Sequence, residues 1–267
     1  MTVRFFDHIS WTQPWFEPVR AAAAPLLVAD SWRDALNRQA AMLALHNHRG
    51  LPLRFIAQEA LPEGVAYEAH ISISGEVPTR ENLHDFFNAL VWLTFPRIKR
   101  QLNALQSAQI AALGIGKSRG PARDAATIFD ENAAVLVVQD SAAGDALVQA
   151  LQSHAWQQAF LIQREQFAQM AEVWSFGHAL MEKLVQPYKA ITAHTWLLRV
   201  PAAYAALTAT EKQTYIDHAV SLQLQQTPLT TAAYSPLPVL GIPGWWPQQD
   251  SAFYADQQVF RPCRSAI

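Results

Sequence analysis

The segment LHDFFNALVWLTF, residues 83–95, constrains this chain more than any other. It is apolar apart from His84, Asp85 and Asn88 in its first half, and Pro96 stops it. A segment built this way belongs in a core, and polar groups carried into a core need partners there. Asp85 has a local explanation: with Asn82 as N-cap it is the carboxylate of a capping-box-like pair, favoured by the helix dipole. His84 and Asn88, four residues apart on one helical face, have no such explanation and ask for partners elsewhere.

The rest of the chain has the composition of a packed domain. Hydrophobic residues make up 51% and charged residues 16% of its 267 positions, against the usual ~25% charged. That disfavours long disordered stretches, and a domain of this size needs no staples. The net charge of −2 leaves no basic excess to neutralise a phosphate backbone, so nucleic-acid binding is disfavoured. The one cysteine, Cys263, excludes an intrachain disulfide and is expected to be tucked in, although Arg264 beside it would favour a thiolate. No signal-peptide pattern appears in MTVRFFDHISWTQPWF, and AAAAPLLVA is too short to span a bilayer. The expectation is a soluble, cytoplasmic protein with no transmembrane segment.

Periodicity and punctuation predict an α+β fold: one mostly helical domain, residues 31–267, with a few short strands, preceded by an irregular aromatic and proline-rich arm over 1–30 that packs on the body. A helix begins at Ser31 and runs towards Gly50. LRFIA (53–57) and AYEAHISI (66–73) read as strands of a hairpin. A helix over 97–114 and a loop over 118–124 follow. TIFDENAAVLVV (127–138) reads as two short strands around an acidic turn. Ser141 caps a helix, residues 155–172 and 175–186 form two more, and KAITAHTWLLRV is a β-branched strand. A last helix carries the capping box Thr210…Gln213, and the tail SPLPVLGIPGWWPQQD is a rigid loop.

Three polar sets could carry chemistry. GIGKS (114–118) is not among them, because the phosphate-loop pattern needs a glycine where Ala111 stands. The first set is His84 with Asn88. The second is His178 and Glu182 in FGHALMEKL, one helical turn apart. That spacing suits an ordinary hydrogen-bonded pair, an imidazole and carboxylate sharing a metal, or a general base oriented by its carboxylate. The third is RGPARDAATIFDEN, where Arg119 and Arg123 suit an anionic group and Asp124 follows; the acids there could equally pair with the arginines. His194, on a predicted strand, is a further candidate. One cysteine cannot supply a zinc–cysteine site, but a divalent metal held by His and carboxylates is compatible with the residues.

HDFFNALVWLTFPRIKRQLN, RGPARDAATIFDEN, FGHALMEKLVQPYKAITAHTW and LPVLGIPGWW together resemble a bacterial family of uncharacterised proteins, a domain of unknown function, over residues 66–262. The resemblance implies one domain over most of the chain and transfers no catalytic roles.

The functional expectation is an enzyme, hydrolytic and metal-assisted or not, acting on a small anionic molecule. His178 would be its general base, oriented by Glu182, with His84 and Asp124 in the catalytic set and Asn88, Arg119, Arg123 and His194 binding substrate. The rival expectation is a non-catalytic binding or scaffold protein whose polar residues form a buried structural network. Peripheral membrane association through the Trp-rich ends is a third reading, unsupported by any basic amphipathic helix.

Overall fold

Helix α4, Leu83–Thr94, lies at the centre of the molecule, buried from Asp85 through Thr94. The structure is a computed structural model that describes residues 4–113 and 120–263. As its sequence requires, α4 starts at an Asn82 cap, whose side-chain oxygen accepts the Asp85 amide at 2.8 Å. It ends before Pro96, the first residue of α5, Pro96–Leu113.

The N-terminal arm does pack on the body, but it is not irregular throughout: Glu17–Leu27 is a helix, α1, with Pro25 inside it. Phe6 and Phe16 stack on Phe86 and Phe87 of α4, with ring centroids 4.9 and 5.5 Å apart. Helix α2, Trp32–Met42, is capped by Ser31 as expected but stops well short of Gly50.

Two strand expectations are corrected. YEAHISIS, Tyr67–Ser74, is a helix, α3, which ends on Gly75 at φ 76°, a left-handed helix stop. The hairpin is therefore a crossover: β1, Arg54–Ala57, and β2, Glu76–Thr79, pair in parallel. TIFDEN belongs to α6, Pro121–Asn132, which runs directly into strand β3, Ala133–Gln139. No Gly or Pro marks that junction, so the β-branched residues on either side read as one extended stretch.

Strand β3 is fully buried along most of its length and is an inner strand of a four-stranded sheet. Beside it lie β4, Ala171–Ser175, antiparallel, and β5, Thr192–Val200, parallel; β6, Ser235–Pro238, closes the other edge. The expected helix over 155–172 is present from residue 156 as a π-helical turn (Gln158–Ile162) followed by α8 (Arg164–Met170), and its last two residues belong instead to strand β4. Helix α7, Ala142–Gln152, carries its Ser141 cap. Helix α9 is the short His178–Lys183 segment, and α10 spans Ala209–Gln226 with its capping box at Thr208 and Glu211, two residues before the expected pair. The tail contains a short helix, α11 (Ser251–Tyr254), and is held by Gln249, whose amide donates to the carbonyls of Leu240 and Ile242. Cys263 is exposed, not tucked in. The whole is an α+β domain, mostly helical. Among the described residues no helix is long and apolar enough to cross a membrane.

Two tertiary devices place the helices that matter for the site. The amides of Arg97 and Ile98, orphaned at the start of α5, donate to the Asp217 carboxylate of α10 at 3.0 Å each. Gly177, between β4 and α9, donates its amide to the Ala133 carbonyl at 2.7 Å. A Cβ there would lie 2.5 Å from the Glu131 carbonyl oxygen and 2.6 Å from the amides of Asn132 and Ala133. Only glycine lets the head of α9 come this close to the α6–β3 junction. Gly177→Ala is expected to destabilise the fold by about 1–3 kcal/mol, as overpacking does. Its midpoint in urea should fall with an unchanged slope.

Candidate active site

Helices α3, α4, α5, α6 and α9 enclose a cleft of about 380 Å³ whose wall includes Tyr67, Glu68, His84, Asn88, Arg123, Asp130 and His178. On α6, Arg123, Thr127 and Asp130 fall at helical spacing on one face and all reach it. Asp124, one position round the helix, is exposed and does not line the cleft. His194 does not line it either: it sits half-buried on β5, its Nδ1 3.1 Å from the Asn132 amide nitrogen. Arg119 falls outside the described residues. Of the expected set, the structure gathers His84, Asn88, Arg123 and His178 on one wall, with Glu182 bonded to His84 behind them.

The residue at the hub went unmarked in the sequence. Lys99, on α5 and 3% exposed, donates to Asp130 Oδ1 at 2.5 Å and to Asn88 Oδ1 at 2.8 Å, with its Nζ 5.3 Å from the centroid of the Trp92 ring. A buried lysine is costly unless paired, and here its nitrogen meets two acceptors and a π face. Burial alone would raise the pKa of Asp130, but Lys99, with smaller help from His178 and His84, holds it below the usual carboxylate value. Two chains of polar groups lie beside this hub, one in charge contact with it through Asp130 and one hydrogen-bonded to it through Asn88.

One chain runs to the protein surface. His178 Nδ1 lies 3.9 Å from Asp130 Oδ2; His178 Nε2 and His84 Nε2 are 3.1 Å apart, and His84 Nδ1 is 3.0 Å from Glu182 Oε2. Glu182, 40% exposed at its side chain, bonds His84 and not His178, so the expected direct pair along α9 is corrected to one that acts through a second imidazole. Both reach the same His84 ring from α9, His178 through Nε2 and Glu182 through its carboxylate. An ionised carboxylate only accepts, so Glu182 fixes the His84 proton on Nδ1. Where His84 is neutral, its Nε2 accepts from His178 Nε2, and His178 Nδ1 then carries no proton. That atom is buried and makes no hydrogen bond of good geometry among the described residues. Burial, aided by Lys99 and opposed by the carboxylate and the backbone of Asp130, pushes the His178 pKa down to about 4.

The second chain runs to the cleft. The Asn88 oxygen is taken by Lys99, so its amide nitrogen faces Tyr67 and donates to the phenol oxygen at 2.9 Å. Burial, with Glu68, Asp85 and Asp130 nearby, holds the Tyr67 pKa well above its ordinary value, so the phenol keeps its proton. Glu68 accepts from the Asn103 amide at 2.7 Å; burial raises its pKa against the pull of Lys99. Arg80 is spent on Asp85, which it grips through Nε and Nη2 at 2.9 and 3.0 Å. Arg123 makes no ion pair among the described residues, and its buried Nε has no hydrogen-bond partner. No group of three or more His, Cys, Asp or Glu among the described residues is arranged to hold a metal ion.

The model of one protein family, described as Protein of unknown function (DUF3025), matches residues 53–264. No curated protein and no solved structure matches the chain.

The depressed pKa of His178 has a consequence for stability. The unfolded imidazole, near 6.5, takes up a proton that the folded one refuses until about pH 4. The unfolded state therefore binds more protons across that window, and this residue's contribution is full above pH 6.5 and lost as pH falls towards 4. Relative to His178→Gln, the wild type should lose on the order of 3 kcal/mol over the window. Paired urea titrations at several pH values measure that difference and cancel the opposing contribution of Glu68.

Proposed function

The chain belongs to the DUF3025 family of proteins of unknown function, and since membership carries no activity we propose one from the cleft: a hydrolase that uses His178 as general base on a small anionic substrate. The observation that carries this reading is His178, an imidazole on the cleft wall whose Nδ1 is buried and makes no hydrogen bond of good geometry among the described residues. Its lone pair is set by the order Glu182, His84, His178, each group fixing the tautomer of the next.

The chemistry follows from position. A water or substrate hydroxyl between His178 Nδ1 and Asp130 Oδ2, which stand 3.9 Å apart, would meet two acceptors at once. When Nδ1 takes the proton, the resulting imidazolium faces the Asp130 carboxylate, kept ionised by Lys99. This is the division of labour in which a base is oriented on one side and its charged form balanced on the other. Arg123, with no ion pair among the described residues and a buried Nε, would hold the anionic group of the substrate. The reading is general acid–base hydrolysis with no step assigned to a metal.

The rival is a structural network, favoured by the near-complete satisfaction of Lys99 and Asp130. Turnover separates the two. A panel of small esters, amides and phosphate esters bearing a carboxylate should yield at least one substrate. His178→Gln should lower its turnover by more than about a hundredfold, and Glu182→Gln by about tenfold or more, with melting temperature little changed in the second. If no member of the panel is hydrolysed, or if His178→Gln turns over as fast as wild type, the hydrolase reading fails.

A further inference from the structure

Tyr67 lies on the other side of the same hub, and the proton of its hydroxyl is unspent. Lys99 donates to the Asn88 oxygen, so the amide cannot flip; the Asn88 nitrogen donates to Tyr67, so the phenol oxygen is an acceptor there. The phenol proton has no acceptor among the described residues, and Tyr67 lines the cleft. A cation at the head of a chain of donors polarises each bond in turn, which makes the last hydroxyl a stronger donor than an isolated phenol. The cleft therefore offers a proton acceptor at His178 and a polarised donor at Tyr67, both tied to one lysine.

Resting on the reading of His178 as general base, we infer that the substrate is an acyl compound, a small carboxylic ester or amide, and that Tyr67 is a catalytic residue which binds its carbonyl oxygen as that oxygen becomes an oxyanion. In the step this requires, His178 Nδ1 takes a proton from water while the water oxygen bonds to the acyl carbon. The carbonyl π pair moves onto oxygen, where the Tyr67 hydroxyl donates to it. When the pair returns, the bond to the leaving oxygen or nitrogen breaks. The leaving group takes the proton from His178, and one water has been added across one acyl bond. Asn88 and Lys99 do not touch the reacting atoms; they are positioning residues that aim and strengthen the Tyr67 donor. A phosphate ester would demand several cationic donors around its equatorial oxygens, whereas Arg123 is the cation on the described wall that makes no ion pair.

The test uses mono-para-nitrophenyl succinate, an acyl ester that bears a carboxylate, and para-nitrophenyl phosphate on the full chain. Wild type should hydrolyse the succinate ester. Tyr67→Phe should lower kcat by roughly a hundredfold, the loss expected for one oxyanion donor, with KM changed less than about twofold. Phenylboronic acid, which takes up hydroxide to give a tetrahedral anion, should inhibit wild type and bind Tyr67→Phe at least about tenfold more weakly. That binding measurement stands even if the Asn88 amide, left without its acceptor, lowers the melting temperature of the variant. Full kcat in Tyr67→Phe, or equal inhibition by boronate, overturns the role of Tyr67. Hydrolysis of the phosphate and not the succinate ester overturns the acyl assignment while leaving His178 as base. Hydrolysis of neither, or hydrolysis of the succinate ester that survives His178→Gln, overturns the reading beneath it.

Discussion

The ion pair of Lys99 and Asp130 sets the terms for the structure around it. Two opposite charges out of water are tolerated only when the geometry is close and the remaining valences are met. Here the lysine has a carboxylate, an amide oxygen and an indole face. Meeting those needs draws α4, α5 and α6 into one place, since each contributes a partner. The same requirement settles the orientation of Asn88 and the ionised state of Asp130. A hydrophobic substitute of equal volume could pack the helices as well, but it could not set a tautomer or aim a hydroxyl.

Part of this was legible in the sequence, and for stated reasons. An Asn inside an apolar helix and an imidazole at its head both needed partners, and the structure supplies Lys99 and Tyr67 for Asn88, and Glu182 and His178 for His84. The N-cap role of Asn82 was local and therefore readable. Lys99 was not, because a lysine in RIKRQLN looks like any solvated helix charge and only tertiary packing buries it. Asp130 was lost for a different reason. The missing punctuation between α6 and β3 turned a helical face into an apparent acidic turn, so the shared direction of Arg123, Thr127 and Asp130 could not be seen. Tyr67 was hidden by its own segment, whose two-residue alternation imitates a strand although Gly75 already carries the helix stop.

The pairing of His178 with Glu182 shows what spacing can and cannot say. Four residues apart on a helix means neighbours on one face, and both side chains do reach one face, but they meet there through the His84 ring and not each other. The residue types and their membership of one site were readable; their order was not. What the fold adds is a second imidazole between carboxylate and base, so that a side chain 40% exposed governs the proton on one that is 5% exposed.

The aromatic arm takes on a different meaning in that light. Residues before 53 lie outside the family match, yet Phe6 and Phe16 stack directly on Phe86 and Phe87, which alternate along α4 with the residues facing the cleft. The helix is thus a shared wall, loaded by aromatic rings from behind and by hydrogen bonds in front. If stacking of the arm holds His84 and Asn88 in place, a molecule that binds that arrangement more tightly strengthens, by reciprocity, the grip of the arm on the helix. The arm is in that sense a second reporter of occupancy, tens of residues away in the chain and one helix diameter away in space.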